Sequence, residues 1–396
     1  MSTIDRTRHW ENLNNAFEGC QISVHGIKLS GLSLPATDRH RHNIVMNRPA
    51  SASQTQDARR AKSGHRVALK QVAEAVGISV STVSHILGSR GDLYRPETRE
   101  RVIRKAAELG YRPNASARAV RSGQFGAVSL LLSSNPAHSE LFDPLTVGIH
   151  NTLAQQGMHL TLDMLSDSEL TAPAFVPRFL RMRMVDGLLI AYYHGIPERF
   201  KELLRRSQVP FVWVNSRHAA DCVYPDDRAA GRQATEHLLE RGFRRIAYID
   251  YTLPILSDGM LAREAGYAEA MRAAGLTPRT ISPAAKTPRT ARVAFSRAWL
   301  EAPDRPEAVV CLALTTALPV LHAAAMLGLR VPRDLALVTF AVQPLTLTGI
   351  HLTSLQVPFY EIGRRAVAML TRKLEQPGQE QSPEVVPFSL DAGETT

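Results

Sequence analysis

The sequence predicts a small all-α unit built on a helix-turn-helix, followed by an α/β body of two doubly wound lobes with parallel sheets. Three observations carry this. A helical apolar rhythm broken by one glycine turn runs through VALKQVAEAVGISVSTVSHIL from Val67. Short apolar strands alternate with helix-like runs after Gly123. The formal net charge of +10 on 396 residues lies wholly in the first third. Residues 1–64 hold 9 basic and 5 acidic side chains, residues 65–123 hold 11 and 5, and residues 124–396 hold 27 of each. A neutral body joined to a basic module suits a chain whose small domain meets a polyanion.

Composition excludes several classes. With 44% hydrophobic and 21% charged residues the chain is globular and long enough for two or three cores. Cys20, Cys222 and Cys311 lie far apart with no CxxC pair, so neither a disulfide framework nor a zinc module is written, and a reducing cytoplasm is expected. The first thirty residues lack the apolar run of an export signal. The uncharged stretch Ala308 to Leu329 is interrupted by Thr315, Thr316, Pro319 and His322, and reads as a buried strand and helix, not a membrane span.

The leader, residues 1–64, shows no sustained periodicity and becomes rich in Ser, Ala, Gln and Arg from Asn47. It is read as a disordered basic leader, with Met46 as a second candidate start. The helix-turn-helix unit spans residues 65–112. Leu69, Val72, Ala73 and Val76 trace one helical face, Gly77 can take positive φ, and Ser79 offers an N-cap to a second short helix. Val76, Ile78, Val83 and Ile86 or Leu87 should pack inward, leaving Val80, Ser81, Ser84 and His85 outward, where a major groove would meet them. A third helix is expected from Pro96 to about Leu109, with Val102, Ile103 and Ala106 inward and Gly110 as its stop.

These residues resemble the lactose-repressor (LacI/GalR) family of bacterial transcription regulators. LKQVAEAVGISVSTVSHIL and PETRERVIRKAAELGYRPNASARAVRSG follow its DVAxxAGVSxxTVSRVLN and ELGYxPNxxARxL patterns. The resemblance implies double-stranded operator DNA as partner and a homodimer as the binding unit. It places base-reading roles on Val80, Ser81 and His85, and phosphate contacts on Ser79, Thr82 and Ser84. His85 stands where the family commonly has Arg, and imidazole cannot form the two-pronged bond to guanine. Gly88 replaces the usual Asn. Residues 113–123 match the family's hinge helix, which enters the minor groove in pairs. Asn114, Arg118, Val120 and Arg121 fall on its DNA contacts, with Val120 in place of a wedging Leu.

The body, residues 124–396, holds the strand-like segments GAVSLLL, HLTLDML, GLLIAYY, FVWVNS, RIAYIDY, AVVCLAL and LALVTFA. Lobe one is expected at about 124–221 and 347–375, and lobe two at about 222–346 and 376–396. The resemblance continues through VDGLLI, DDRAAGRQATEHLLERG, LAREAGY and LTSLQVPFYEIGRRAVAML, and implies a periplasmic-binding-protein-like fold closing on a small effector. Ligands of such folds sit at the carboxyl ends of strands. Arg263 matches the family's ligand-binding Arg. Elsewhere the family's polar contacts are missing: its AND tripeptide reads Leu312, Ala313, Leu314, its Asp after the GF strand is Ala341 after Phe340, and the Gln of its RQP is Val357. Phe142, with Leu141, is a further cleft candidate. A sugar would leave buried hydroxyls unpaired, so an apolar ligand, an anionic one anchored by Arg263, or none is expected.

No metal or other cofactor is expected. Enzyme motifs such as GxxxxGK, GxGxxG, HExxH and GxSxG are absent from the sequence. A solute-binding protein, or an α/β enzyme with an accessory basic domain, is the alternative reading. The former would need an export signal and neither would need the segment from Val67 to Val120.

Overall fold

The computed structural model describes residues 67–88, 91–112, 123–136, 138–172, 175–182, 184–193, 196–251, 257–283, 287–347 and 349–396. The leader and the hinge candidates Asn114, Arg118, Val120 and Arg121 lie outside the described residues.

The N-terminal unit contains α1 (Leu69–Val76), α2 (Val80–Ile86), a 3-10 turn (Gly91–Leu93) and α3 (Pro96–Glu108). Gly77 adopts φ 73° and closes α1 through its N–H, which donates to Ala73 O at 2.9 Å. Ser79 Oγ accepts from the Thr82 N–H at 3.1 Å and caps α2. Val72, Ala73, Val83, Ile86, Val102 and Ala106 form the core, with Val76, Ile78 and Leu87 packed against it. Ile103, expected inward, is 46% exposed. Val102 and Ala106, one turn apart, already occupy the inward face of α3, and the next residue is rotated about 100° away from it.

In the body, β1 (Ala127–Ser133), α4 (Asp143–Gln155), β2 (His159–Leu165), α5 (Asp167–Thr171), α6 (Arg178–Arg181), β3 (Gly187–Ala191), α7 (Glu198–Ser207), β4 (Phe211–Val214) and β5 (Cys222–Pro225) build the first lobe. There follow α8 (Asp227–Glu240), β6 (Ile246–Ile249), α9 (Asp258–Ala273), β7 (Arg279–Ile281), α10 (Arg292–Leu300), β8 (Ala308–Cys311), α11 (Leu314–Met326) and β9 (Ala336–Ala341). After the short pair β10 (Thr346–Leu347) and β11 (Ile350–His351) come β12 (Ser354–Gln356), α12 (Phe359–Glu375), β13 (Glu384–Val386) and β14 (Ser389–Asp391). Among the described residues the strands form two six-stranded sheets, ordered β13-β5-β4-β3-β1-β2 and β14-β12-β9-β8-β6-β7. All their pairings are parallel except β12 with β14. Of the apolar runs noted in the sequence, HLTLDML is the edge strand β2 and the rest are central strands: β3, β6, β8 and β9 are buried along their whole lengths, as strands covered on both faces must be.

The stretch Ala308 to Leu329 is strand β8 followed by α11. No helix among the described residues is long and apolar enough to cross a membrane.

The lobe boundaries differ from those expected. Strand β5 pairs with β4 in the first sheet, so the chain first crosses at Asp226. Strand β12 pairs with β9 in the second sheet, which moves residues 347–356 out of lobe one. Strand β13 returns to the first sheet beside β5 and β14 goes back to β12. Short three-residue strands with charged or proline neighbours carry little periodic signal, so pairing, not hydropathy, decides their lobe.

In the second lobe α8 packs closely on α9. Gly231 sits against the backbone of Arg263, and Gly266 against the carbonyl of Arg228; a Cβ at either would collide with main chain. Gly266→Ala is therefore expected to destabilise the fold by about 1–3 kcal/mol. Thermal unfolding checks this, and a melting temperature equal to the parent's contradicts it.

Candidate functional site

Helix α2 arranges the sequence-predicted DNA-facing residues on one surface. Val83 and Ile86 hold its inner face in the core, and this rotation leaves Val80 44% exposed with Ser81 and His85 also exposed. Thr82 and Ser84 are half-buried. Ser79 Oγ lies 2.8 Å from both Ser81 Oγ and Thr82 Oγ1, so the first turn presents a connected set of hydroxyls. At the other end His85 Nδ1 is 2.9 Å from the hydroxyl of Tyr94. Small hydroxyls and one imidazole on the outer face of a helix whose inner face packs in the core are a surface able to hydrogen-bond phosphates and base edges.

The effector candidates gather at the carboxyl edge of the second sheet. Phe340 and Ala341 end β9, Leu314 begins α11 after β8, and Val357 follows β12, its N–H donating to Ala341 O at 2.8 Å. Arg263, on α9, reaches the same edge: NH1 donates to Leu312 O at 3.3 Å, and its guanidinium carbon lies 4.5 Å from the Phe340 ring centre and 5.4 Å from that of Phe388. Phe340 and Phe388 meet edge to face. Phe142, the N-cap residue of α4 in the first lobe, stacks on Phe359 with ring centres 4.0 Å apart.

Arg263 also has an anion of its own. Its Nε donates to Asp227 Oδ1 at 2.7 Å, and both side chains are nearly buried. Gly259, in the first turn of α9, leaves the space that the Asp227 carboxylate fills. Arg263 is thus already paired with a carboxylate of this chain, and its charge is offset before any ligand arrives.

The family model for bacterial regulatory proteins of the lacI family matches residues 68–114, and that for a periplasmic binding protein-like domain matches residues 235–396. Catabolite control protein A of Staphylococcus xylosus is 26% identical over 340 residues, spanning 83% of this chain and 99% of that protein. The ribose operon repressor of Escherichia coli strain K12 is 28% identical over 334 residues, 82% of this chain and 98% of that one. The solved structure of a transcriptional regulator CelR-cellobiose complex is 26% identical, with a TM-score of 0.54 over 84% of this chain and 100% of that one. The chain belongs to the LacI/GalR family. It is a DNA-binding transcriptional regulator, and the relatives it matches are regulators, not enzymes.

Within this LacI-family body, several groups at the strand ends escaped sequence reasoning. Asp227 is the second residue of DDRAAG, and its role needs the packing of α8 on α9 that no local pattern reveals. Phe359 and Phe388 lie where the chain passes between sheets. A polar cluster also closes the carboxyl edge of the first sheet. Asp167 Oδ1 accepts from Tyr192 and from Ser133 at 3.1 Å and Oδ2 from Asn135 at 3.3 Å, while His138 Nδ1 lies 3.1 Å from Oδ2 and 3.0 Å from the Tyr192 hydroxyl. Burial opposes ionisation of Asp167, but hydrogen bonds from Tyr192, Asn135, His138 and Ser133 outweigh it and hold the carboxyl below its ordinary range. Burial, together with that hydrogen bond, pushes the Tyr192 hydroxyl up.

Asp227→Ala strands a buried guanidinium and is expected to cost about 3–5 kcal/mol, whereas Asp227→Leu with Arg263→Met, which removes both charges, is expected to lose less than the single change. Chemical denaturation of the three proteins checks this. A single variant as stable as the parent contradicts it.

Proposed function

We propose that this regulator is a homodimeric repressor acting in the cytoplasm, whose affinity for an operator is set by a small molecule at the strand ends of the C-terminal body. The observation that carries DNA reading is the exposed face of α2. Val80, Ser81 and His85 are assigned to bases, and Ser79, Thr82 and Ser84 to phosphates. The basic excess of residues 1–123 supplies the non-specific attraction to a polyanion. It acts by binding and not by catalysis. His85→Ala is expected to relax selection at one base position per half-site while leaving the other positions as they were, a contact worth roughly 1–3 kcal/mol of discrimination when well formed. Competition binding against single-base operator variants checks this; an unchanged profile removes His85 from base reading.

A second copy of the chain is the partner that fits the apolar flank. Strand β2 ends the first sheet with an open edge, and Leu162 and Met164 on it are 49% and 57% exposed. Val147 on α4, and Leu318 and Met326 on α11, are exposed as well. Apolar side chains on an open strand edge suit a subunit interface and are a liability on a monomer. Met164→Asp is expected to shift the sedimentation profile towards monomer, and an unchanged dimer fraction would place the interface elsewhere.

The effector favoured by these residues is uncharged and largely apolar. Leu314, Phe340, Ala341 and Val357 supply no charged or hydroxyl side chain, and Asp227 already answers Arg263. The CelR complex in the comparison holds cellobiose, a ligand whose many hydroxyls would find few partners among these side chains. A thermal-shift screen is expected to rank neutral aromatic compounds above free sugars and small carboxylates. A carboxylate or sugar whose shift vanishes in Arg263→Ala would overturn this.

A further inference from the structure

We propose that Tyr94 decides which ring nitrogen of His85 carries the proton, and thereby which base edges His85 accepts; this rests on the assignment of His85 to base reading. His85 sits in the last turn of α2 on its exposed face, with Nδ1 2.9 Å from the Tyr94 hydroxyl and ring centres 6.3 Å apart at a tilt of 39°. Tyr94 belongs to a different element. It follows the turn Gly91–Leu93, its N–H donates to Gly91 O at 3.2 Å, and its half-buried ring packs against the core made by Val72, Val83, Ile86 and Val102. The hydroxyl is therefore held by the fold and not by a solvated side chain free to rotate away.

A neutral imidazole has one N–H donor and one bare acceptor nitrogen, and the tautomer follows the hydrogen bond the ring makes. A phenol is the better donor of this pair and an imidazole nitrogen the better acceptor. Tyr94 O–H accordingly donates to Nδ1, and the proton resides on Nε2, the nitrogen left for other partners. An Nε2–H donor matches guanine O6 and N7, adenine N7 or thymine O4 in the major groove. It does not match cytosine, whose edge presents only the N4 donor. Tyr94 is thus a positioning residue: it narrows an ambiguous side chain to one that donates, where the family's usual Arg needs no such help because all its groove-facing atoms are donors.

The test combines two readings on the full-length chain. Nitrogen-15 spectra of histidine-labelled protein, with the His85 signals identified by their loss in His85→Ala, report the tautomer. Operator selection reports base preference for the parent, Tyr94→Phe and His85→Ala. The parent is expected to hold His85 in the Nε2–H form and to select against cytosine at the contacted position. Tyr94→Phe keeps the packed ring and removes only the hydroxyl. It is expected to lose the Nδ1 hydrogen-bond signature and to reduce discrimination against cytosine there by roughly three- to ten-fold, the worth of one hydrogen bond. Adding Tyr94→Phe to His85→Ala should then change nothing at that position. If Tyr94→Phe keeps the parent's tautomer and base preference while His85→Ala relaxes that position, Tyr94 is not the determinant. If His85→Ala changes no base preference, the base-reading assignment has failed and the proposal falls with it.

Discussion

One continuous chain has to serve two separate parallel sheets, and its passages between them organise the body. Parallel strands need crossover connections, so a chain that builds one sheet can reach the other only at a strand's end. Here it crosses three times, at Asp226, at Val357–Pro358 and at Pro387–Phe388. Asp226 N–H donates to Val386 O at 2.9 Å, tying the first passage to the third. Residues on or beside these passages make contacts at the strand ends: Asp227 on Arg263, Phe359 under Phe142, and Phe388 against Phe340 and Arg263. The groups proposed to meet a ligand are therefore also groups beside the passages that join the lobes, which would give a ligand there a physical means of shifting the balance between two arrangements of them.

The ion pair of Asp227 and Arg263 sharpens this. Buried pairs seldom add net stability over apolar residues of the same shape, but removing one partner is costly. Such a pair specifies an arrangement: α8, which begins at the first passage, must lie where its first residue meets the guanidinium carried by α9. Gly231 and Gly266 let the two helices come close enough for this, and Gly259 makes room for the carboxylate. An arginine committed in this way is already paired with a carboxylate of the same chain and lies beside the rings of Phe340 and Phe388.

Much of this was legible beforehand, and the parts that were not have physical reasons. The helix-turn-helix was readable because Gly77, Ser79 and Pro96 punctuate it locally, and each does in the structure what its chemistry dictates. The central strands were readable because burial on both faces forces continuous apolar runs. The lobe assignments of β5, β12 and β13 were not, since three- and four-residue strands take their place from pairing partners far away in sequence. Arg263 was singled out by the RxxGY pattern, but its partner Asp227 lies 36 positions away on another helix, and only packing brings them together. His85 stood out as a departure, whereas Tyr94 did not, because a hydrogen bond across nine positions and a turn has no period.

In the function proposed, a dimer of this chain reads a specific duplex through α2. Selection of binding sites from a random duplex pool by the purified full-length protein tests it most directly, with the stoichiometry of the selected complex measured by mass. The expected result is one near-palindromic site bearing two half-sites with two protomers bound. Enrichment of no sequence above bulk duplex, or of a single unrepeated site holding one protomer, would contradict it.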